Sequence, residues 1–192
     1  RARCAAPHQY GTRPANHGNH CRLEPPDRSV CVGGGHVVEA VNDVFQVFNA
    51  DGSGQTGVVD LNSFFKYPAA IDRTTGARGP FITDPSCYYD SDTGTWFHVV
   101  LTLDVVAATV AFTGTSHLDL AVRHAASPIG TWKIYQLDDA NDGNTGHPDH
   151  HCSSGHSFGV ARHMRTTSPE LARQPTHTAT LRPRPQRHTN PP

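Results

Sequence analysis

The chain has 192 residues with a formal net charge of −1 and 36% apolar residues, enough for one ordinary domain, but its mean hydropathy of −0.49 leaves much of it outside any core. No apolar run approaches the ~20 residues of a membrane-spanning helix and no heptad persists, which excludes a membrane span and a coiled coil. Charge excludes a uniform globule as well: residues 1–28 carry five Arg against Glu24 and Asp27, residues 29–152 carry five Lys or Arg against fourteen acids, and residues 153–192 carry six Arg against Glu170.

Residues 1–28 hold four Pro and almost no β-branched aliphatic side chains, a composition that predicts a disordered basic N-terminal segment. Residue 1 is Arg and the sole Met is Met164, so a processed or truncated product is expected. Five cysteines, Cys4, Cys21, Cys31, Cys87 and Cys152, occur without any C-x-x-C pair. That pattern argues against a zinc ribbon or a redox dithiol and for an oxidising compartment with one thiol left over. Spacing does not fix connectivity; Cys31 with Cys87, both inside the central segment, is the expected disulfide.

The centre, residues 29–152, holds thirteen of the fifteen aromatic residues. Gly33-Gly34-Gly35 mimics a dinucleotide-binding loop, but Val38 stands where the third Gly belongs and no strand is predicted before it. Across 37–48 two periodicities compete. Val37, Val38, Ala40, Val41, Val44, Phe45, Val47 and Phe48 fit a helical stripe, whereas the Val and Phe content, the Asn42-Asp43 turn pair and the turn cluster at 51–54 favour strands at 36–41, 44–49 and 56–61. Helix stays the rival there.

Further on, Cys87-Tyr88-Tyr89-Asp90, a turn and the run from Trp96 to Leu103 predict a hairpin. Leu118, Leu120 and Val122 alternate with His117, Asp119 and Ala121 as a half-buried strand, and after the Ser127-Pro128-Ile129-Gly130 turn the run from Trp132 to Leu137 returns as a second hairpin. Both return strands open with Gly-Thr-Trp, at Gly94-Thr95-Trp96 and Gly130-Thr131-Trp132. A hairpin repeated in this way is the mark of a repeat architecture such as a propeller blade.

The pieces PPD at 25–27, CVGGGHVVEAVND at 31–43, TDPSCYYD at 83–90 with Trp96, and LAVRHAASPIGTW at 120–132 resemble a stretch recurring in large secreted bacterial proteins of β-propeller-like, sialidase-type build. The resemblance spans 25–152 and implies an all-β fold of antiparallel hairpins in an incomplete β-propeller-like sheet assembly. It brings no established catalytic set. Asp92-Thr93-Gly94-Thr95-Trp96 is also similar to the Asp-box hairpin of sialidases, with Trp two residues after Gly rather than three. After Cys152 the resemblance calls for further strands. Residues 153–192 turn to Arg, Pro, Thr and His instead, which predicts a disordered tail of the kind out-of-frame translation yields. An open assembly of this kind leaves unpaired edges prone to self-association.

Candidate chemistry is sparse. Asn49, Asp51, Ser53, Gly54 and Asp60 occupy positions 1, 3, 5, 6 and 12 of an EF-hand-like loop, so Asn49, Asp51, Ser53 and Asp60 form a candidate calcium site, with a simple Gly-rich turn as the competing reading. His147, His150, His151 and Cys152, with His156 beside them, form a candidate transition-metal cluster, because imidazole and thiolate suit Zn²⁺. Gly155-His156-Ser157-Phe158-Gly159 matches a nucleophile elbow, yet no buried strand precedes it, no Asp follows Ser157, and Glu170 ahead of His177 or His188 leaves too little chain to build the sheet. Asp84, Asp90, Asp92 and Asp104 fall where Asp makes turns, and His98 and His117 read as satisfied structural residues. The spread Arg of the tail, with no interleaved aromatic beyond Phe158, argue against a nucleic-acid surface.

Taken together these features predict a secreted or cell-surface recognition and structural module, more a binding module than an enzyme, with an extracellular glycan or protein as partner. The rivals are the opening portion of a secreted sialidase-like glycosidase and a truncated product without independent function.

Overall fold

The computed structural model describes residues 27–106, 109, 111–138 and 175–185, and the backbone of two short strands, β1 (Arg3–Cys4) and β2 (Cys21–Arg22), which pair antiparallel with Cys4 opposite Cys21. The protein is all-β and antiparallel. A four-stranded meander is built from β3 (Ser29–Gly33), β4 (His36–Val41), β5 (Val44–Asn49) and β6 (Val59–Asp60) in that order. A five-stranded sheet follows, with β7 (Phe81–Asp90), β8 (Thr95–Val105), β9 (Phe112–His124) and β10 (Gly130–Asp138) as a second meander and β11 (His177–Leu181) added at its edge. Neither sheet closes into a ring among the described residues. No helix among them is long and apolar enough to cross a membrane.

The competition between helix and strand over 37–48 resolves to strand, because the buried side chains repeat every second residue. Val38 and Ala40 on β4 and Phe45 and Val47 on β5 face inward. The three glycines are a hairpin, not a phosphate loop: Gly34 and Gly35 both take positive φ, +53° and +81°, as a two-residue β3–β4 turn requires. A Cβ on Gly34 would lie 2.0 Å from the Ala126 carbonyl oxygen, so the absent side chain also lets this turn meet the other sheet.

Three expectations need correction. The strand expected at 56–61 is only Val59–Asp60; the chain then enters a short helix, α1 (Leu61–Phe64), whose first turn is capped by Asp60 accepting from the Ser63 N–H at 2.8 Å. Within the tail expected to be disordered, His177–Leu181 form β11, paired to β10 with Trp132 opposite Ala179. Its Thr residues face outward while Ala179 and Leu181 are buried, a period-2 pattern hidden in a Pro- and Arg-rich context. Finally, β9 is not half-buried: Leu118 and Leu120 on one face and Asp119 and Ala121 on the other are all buried.

The two sheets pack face to face through one core. Phe45 and Val47, with Leu61, Phe64 and Phe65 from α1 and its end, meet Trp96, Val100, Trp132, Ile134 and Leu181. Phe64 stands edge-on to Phe45 at 4.9 Å and to Trp132 at 5.8 Å between ring centroids. Both Gly-Thr-Trp tryptophans are satisfied by one turn, Trp96 Nε1 donating to the Ala126 carbonyl at 3.0 Å and Trp132 Nε1 to the Pro128 carbonyl at 2.8 Å. Arg123 braces that turn from inside, donating to the Ser127 and Thr131 carbonyls at 2.7 and 2.9 Å. Cys31 on β3 and Cys87 on β7 form a disulfide with Cα atoms 5.6 Å apart, joining the sheets covalently. A second apolar cluster, with Phe97, Val99, Leu118, Leu120 and Tyr135, lies on the opposite face of the five-stranded sheet.

Candidate functional site

Strand register builds a polar group at one end of the inner face of the five-stranded sheet. Along β8 the inward residues run Trp96, His98, Val100 and then Thr102; along β9 they run Ala121, Asp119 and His117; along β10 they run Trp132, Ile134 and Gln136. Because Thr102 pairs with His117 and Asp119 with Gln136, the four polar side chains fall side by side where the apolar core ends. Tyr67, just beyond α1, closes over them.

The Tyr67 hydroxyl donates to the Asp119 carboxylate, 2.9 and 3.1 Å from its two oxygens, and Thr102 Oγ1 donates to the same group at 2.6 Å. His117 Nε2 lies 2.8 Å from the Tyr67 oxygen and 3.4 Å from Asp119 Oδ2. A phenol has one proton. With that proton on the bond to Asp119, His117 Nε2 carries the hydrogen that Tyr67 accepts, giving a relay from His117 through Tyr67 to Asp119. Gln136 Nε2 donates to the phenol from the solvent side at 3.4 Å. Burial, followed by the charge of Asp119 and its hydrogen bond, pushes the Tyr67 phenol well above its ordinary value. Tyr67 is therefore a neutral donor and not a phenolate nucleophile, and Asp119, only 1% exposed, is spent on holding it.

A second polar cluster lies in a corner between the sheets. Asn42, in the β4–β5 turn, accepts from Thr83 Oγ1 at 3.1 Å and from the Asp84 N–H at 3.0 Å, and its own amide donates to Asp27 Oδ2 at 2.8 Å. The strand partner is locally irregular here: β7 shifts register between Thr83 and Ser86, and Asp84 takes φ +51° before Pro85. Burial first, and the nearby Asp27 second, raise the Asp84 carboxyl above the usual range. Beside Asn42 in the same turn, burial and then the charge of Asp60 push Asp43 up to about 7.

Of the predicted calcium ligands, Asn49, Asp51 and Ser53 come together and satisfy one another. Ser53 Oγ donates to Asp51 Oδ1 at 2.6 Å, the Ser53 N–H donates to the same oxygen at 2.8 Å, and Asn49 Nδ2 donates to Ser53 Oγ at 2.9 Å. The Ser53 hydroxyl, and after it the Ser53 N–H, hold the Asp51 carboxyl below its ordinary value. Asp60 does not join them: it pairs with Val44, five residues along β5 from Asn49 and so about 17 Å away at ~3.4 Å per residue. The loop is a hairpin turn, closed by the Phe48–Gly54 bridge. His147, His150, His151 and Cys152, with His156 and Ser157, lie outside the described residues. Among the described residues no group of three or more His, Cys, Asp or Glu is placed to hold a metal ion.

His98 differs from the satisfied residue expected. Its ring sits in an aromatic cage, 5.2 Å from Phe45 and stacked on Phe65 at 5.9 Å, and neither ring nitrogen makes a hydrogen bond of ordinary geometry, the backbone of Ser86 offering only a weak polar contact. Burial holds its pKa down to about 4. In the turn similar to an Asp box, the organising acid is Asp90: it accepts from the Asp92 N–H at 3.2 Å and from Thr93 Oγ1 at 2.6 Å, while Asp92 itself is exposed.

From sequence alone His117 reads as structural, and neither Tyr67 nor Asp119 stands out as a candidate. The available signal is an acid and a histidine alternating with leucines along one strand. No family model, no curated protein and no solved structure matches this chain.

Proposed function

We propose that the chain is a β-propeller-like recognition and structural module of an extracellular or cell-surface protein, which holds a glycan or protein ligand without transforming it. The observation that carries this reading is the order and stacking of the sheets. Two four-stranded antiparallel meanders follow one another in the chain, β3–β6 and then β7–β10, and pack face to face as neighbouring blades do. A disulfide between β3 and β7 supports the oxidising compartment. Tyr67 and Asp119 support binding over catalysis, since a neutral phenol and a buried, fully used carboxylate supply neither a nucleophile nor a free general acid.

The glycosidase reading draws on the same cluster, in which Tyr, Asp and His meet on one face. The two readings part in a single pair of measurements on the full chain. A glycan array is expected to show saturable binding to a subset of extracellular glycans, with no sugar released from fluorogenic glycosides at the same protein concentration. Turnover of a glycoside that disappears in Tyr67→Phe would overturn the module reading.

A further inference from the structure

The loop from Lys66 to Pro80 is fixed at both arms by a single buried side chain: Asn62 Nδ2 donates to the Pro68 carbonyl at 2.9 Å and to the Pro80 carbonyl at 2.8 Å. Between those anchors the Gly79 N–H donates to the Ala69 carbonyl at 3.0 Å and the Asp72 N–H to the Ala77 carbonyl at 2.8 Å. A Cβ on Gly79 would stand 2.3 Å from the Pro68 carbonyl oxygen, so only glycine lets the two arms approach this closely. The loop thus frames a cleft of about 400 Å³, within the ~300–1,000 Å³ typical of small-ligand sites.

The cleft is lined by Arg73 and Arg78, by Thr74, and by the apolar surfaces of Pro68, Ala69 and Ala77. Its one acid, Asp72, is turned to the backbone, accepting from the Thr74 and Thr75 N–H groups at 2.8 and 3.2 Å. Hydrogen bonding from Thr75 and Thr74 holds that carboxyl below its ordinary value. Neither Arg73 nor Arg78 has an ion pair or hydrogen bond among the described residues. Residues 29–152 contain three Arg against fourteen acids, and Arg123 is committed to the carbonyls of its own turn. The two remaining Arg of this acidic segment therefore line one cleft, with no partner among the described residues.

We propose that this cleft binds the oxyanion group, carboxylate or sulfate ester, of an acidic saccharide, a site that rests on the recognition reading above and gives it a ligand class. The guanidinium forks match the oxygens of such a group. The Pro68, Ala69 and Ala77 surfaces face the C–H side of a sugar ring, and the Thr74 hydroxyl is available to a ring hydroxyl. Attraction is local, because the surrounding segment is acidic and repels polyanions at long range.

The test is calorimetric titration of the full chain with a carboxylated tetrasaccharide from hyaluronan, a sulfated tetrasaccharide from carrageenan, and neutral cellotetraose. At least one anionic saccharide is expected to bind about tenfold more tightly than cellotetraose, and Arg73→Ala with Arg78→Ala to abolish that preference. Lys133→Ala, which removes one positive charge elsewhere, is expected to leave it unchanged. All three positions are at least partly exposed, and matched urea melts verify that the variants fold. Which anionic arm responds identifies the source of the oxyanion. Anionic saccharides bound equally by the double variant, or not bound at all, overturn the cleft assignment. Neutral glycan binding that persists in the double variant leaves the recognition reading standing without this site, and absence of every glycan and protein ligand removes both.

Discussion

Asn42 accepts a hydrogen bond from the backbone N–H of Asp84 at 3.0 Å, tying the β4–β5 turn of one sheet to the irregular start of β7 in the other. With Thr83 donating to the same oxygen and Asp27 accepting from the Asn42 amide, this one side chain joins three segments that are far apart in sequence. Asn42→Ala leaves the Thr83 hydroxyl, the Asp84 N–H and the Asp27 carboxylate each short of a partner, and a loss of about 2–4 kcal/mol in urea unfolding is expected. A loss below about 0.5 kcal/mol would show the corner to be incidental.

The Cys31–Cys87 disulfide closes a loop across a sequence separation of 56 and joins the two sheets. By chain entropy alone such a crosslink stabilises by about 4 kcal/mol. Cys31→Ala with Cys87→Ala is therefore expected to lower the urea midpoint substantially and to raise the m-value, because the uncrosslinked unfolded chain exposes more surface. An unchanged midpoint would mean that packing between the sheets suffices without it.

His98 contributes a pH dependence of defined sign. Its folded pKa, about 4, lies below the ordinary 6.5, so between those values the unfolded chain binds the extra proton. Stability from this residue is complete above pH 6.5 and is lost as pH falls towards 4, on the order of 3 kcal/mol. His98→Leu is expected to flatten the acid side of the stability profile in pH-dependent urea melts. A variant profile parallel to the parent's would refute the assignment.

Asp43 works in the opposite direction. Its folded pKa is raised from 3.8 to about 7, so the fold holds the proton that the unfolded chain gives up. The contribution is complete below pH 3.8 and is lost as pH rises through 7, on the order of 4 kcal/mol. Asp43→Asn keeps a residue type that tolerates the φ of +80° found there. The variant is expected to be more stable than the parent at pH 8 and little changed at pH 4, as read by thermal melts at both values. Equal shifts at both pH values would assign the effect to something other than the carboxyl.

At the polar end of the sheet, Tyr67→Phe removes the donor to Asp119 and the acceptor for His117. About 1.5–3 kcal/mol of stability is expected to go with it. In a double-mutant cycle with Asp119→Asn the two losses are expected to be strongly non-additive, because both act on one hydrogen bond. Additive losses would separate the residues into independent contacts.

Much of the architecture was legible in the sequence because local chemistry decides it. Val and Phe at period 2, Gly pairs and Asn-Asp turns set β4, β5 and the later hairpins with little help from outside. β11 escaped notice because five alternating residues in a Pro- and Arg-rich stretch become a strand only when the edge of β10 is there to pair with them. Asp60 fitted a calcium loop by spacing, yet strand pairing carried it to the far end of β5, where it caps a helix instead. The Tyr67 cluster was illegible for a similar reason: register between strands, together with a loop folding back from α1, brings Tyr67 to residues 50 and 52 positions away. The sequence by itself determined an antiparallel β protein with an acidic, aromatic centre. Which polar groups meet, which are buried without partners and which arginines stay uncommitted was decided by tertiary packing, since hydrogen bonding and desolvation depend on neighbours that linear order does not specify.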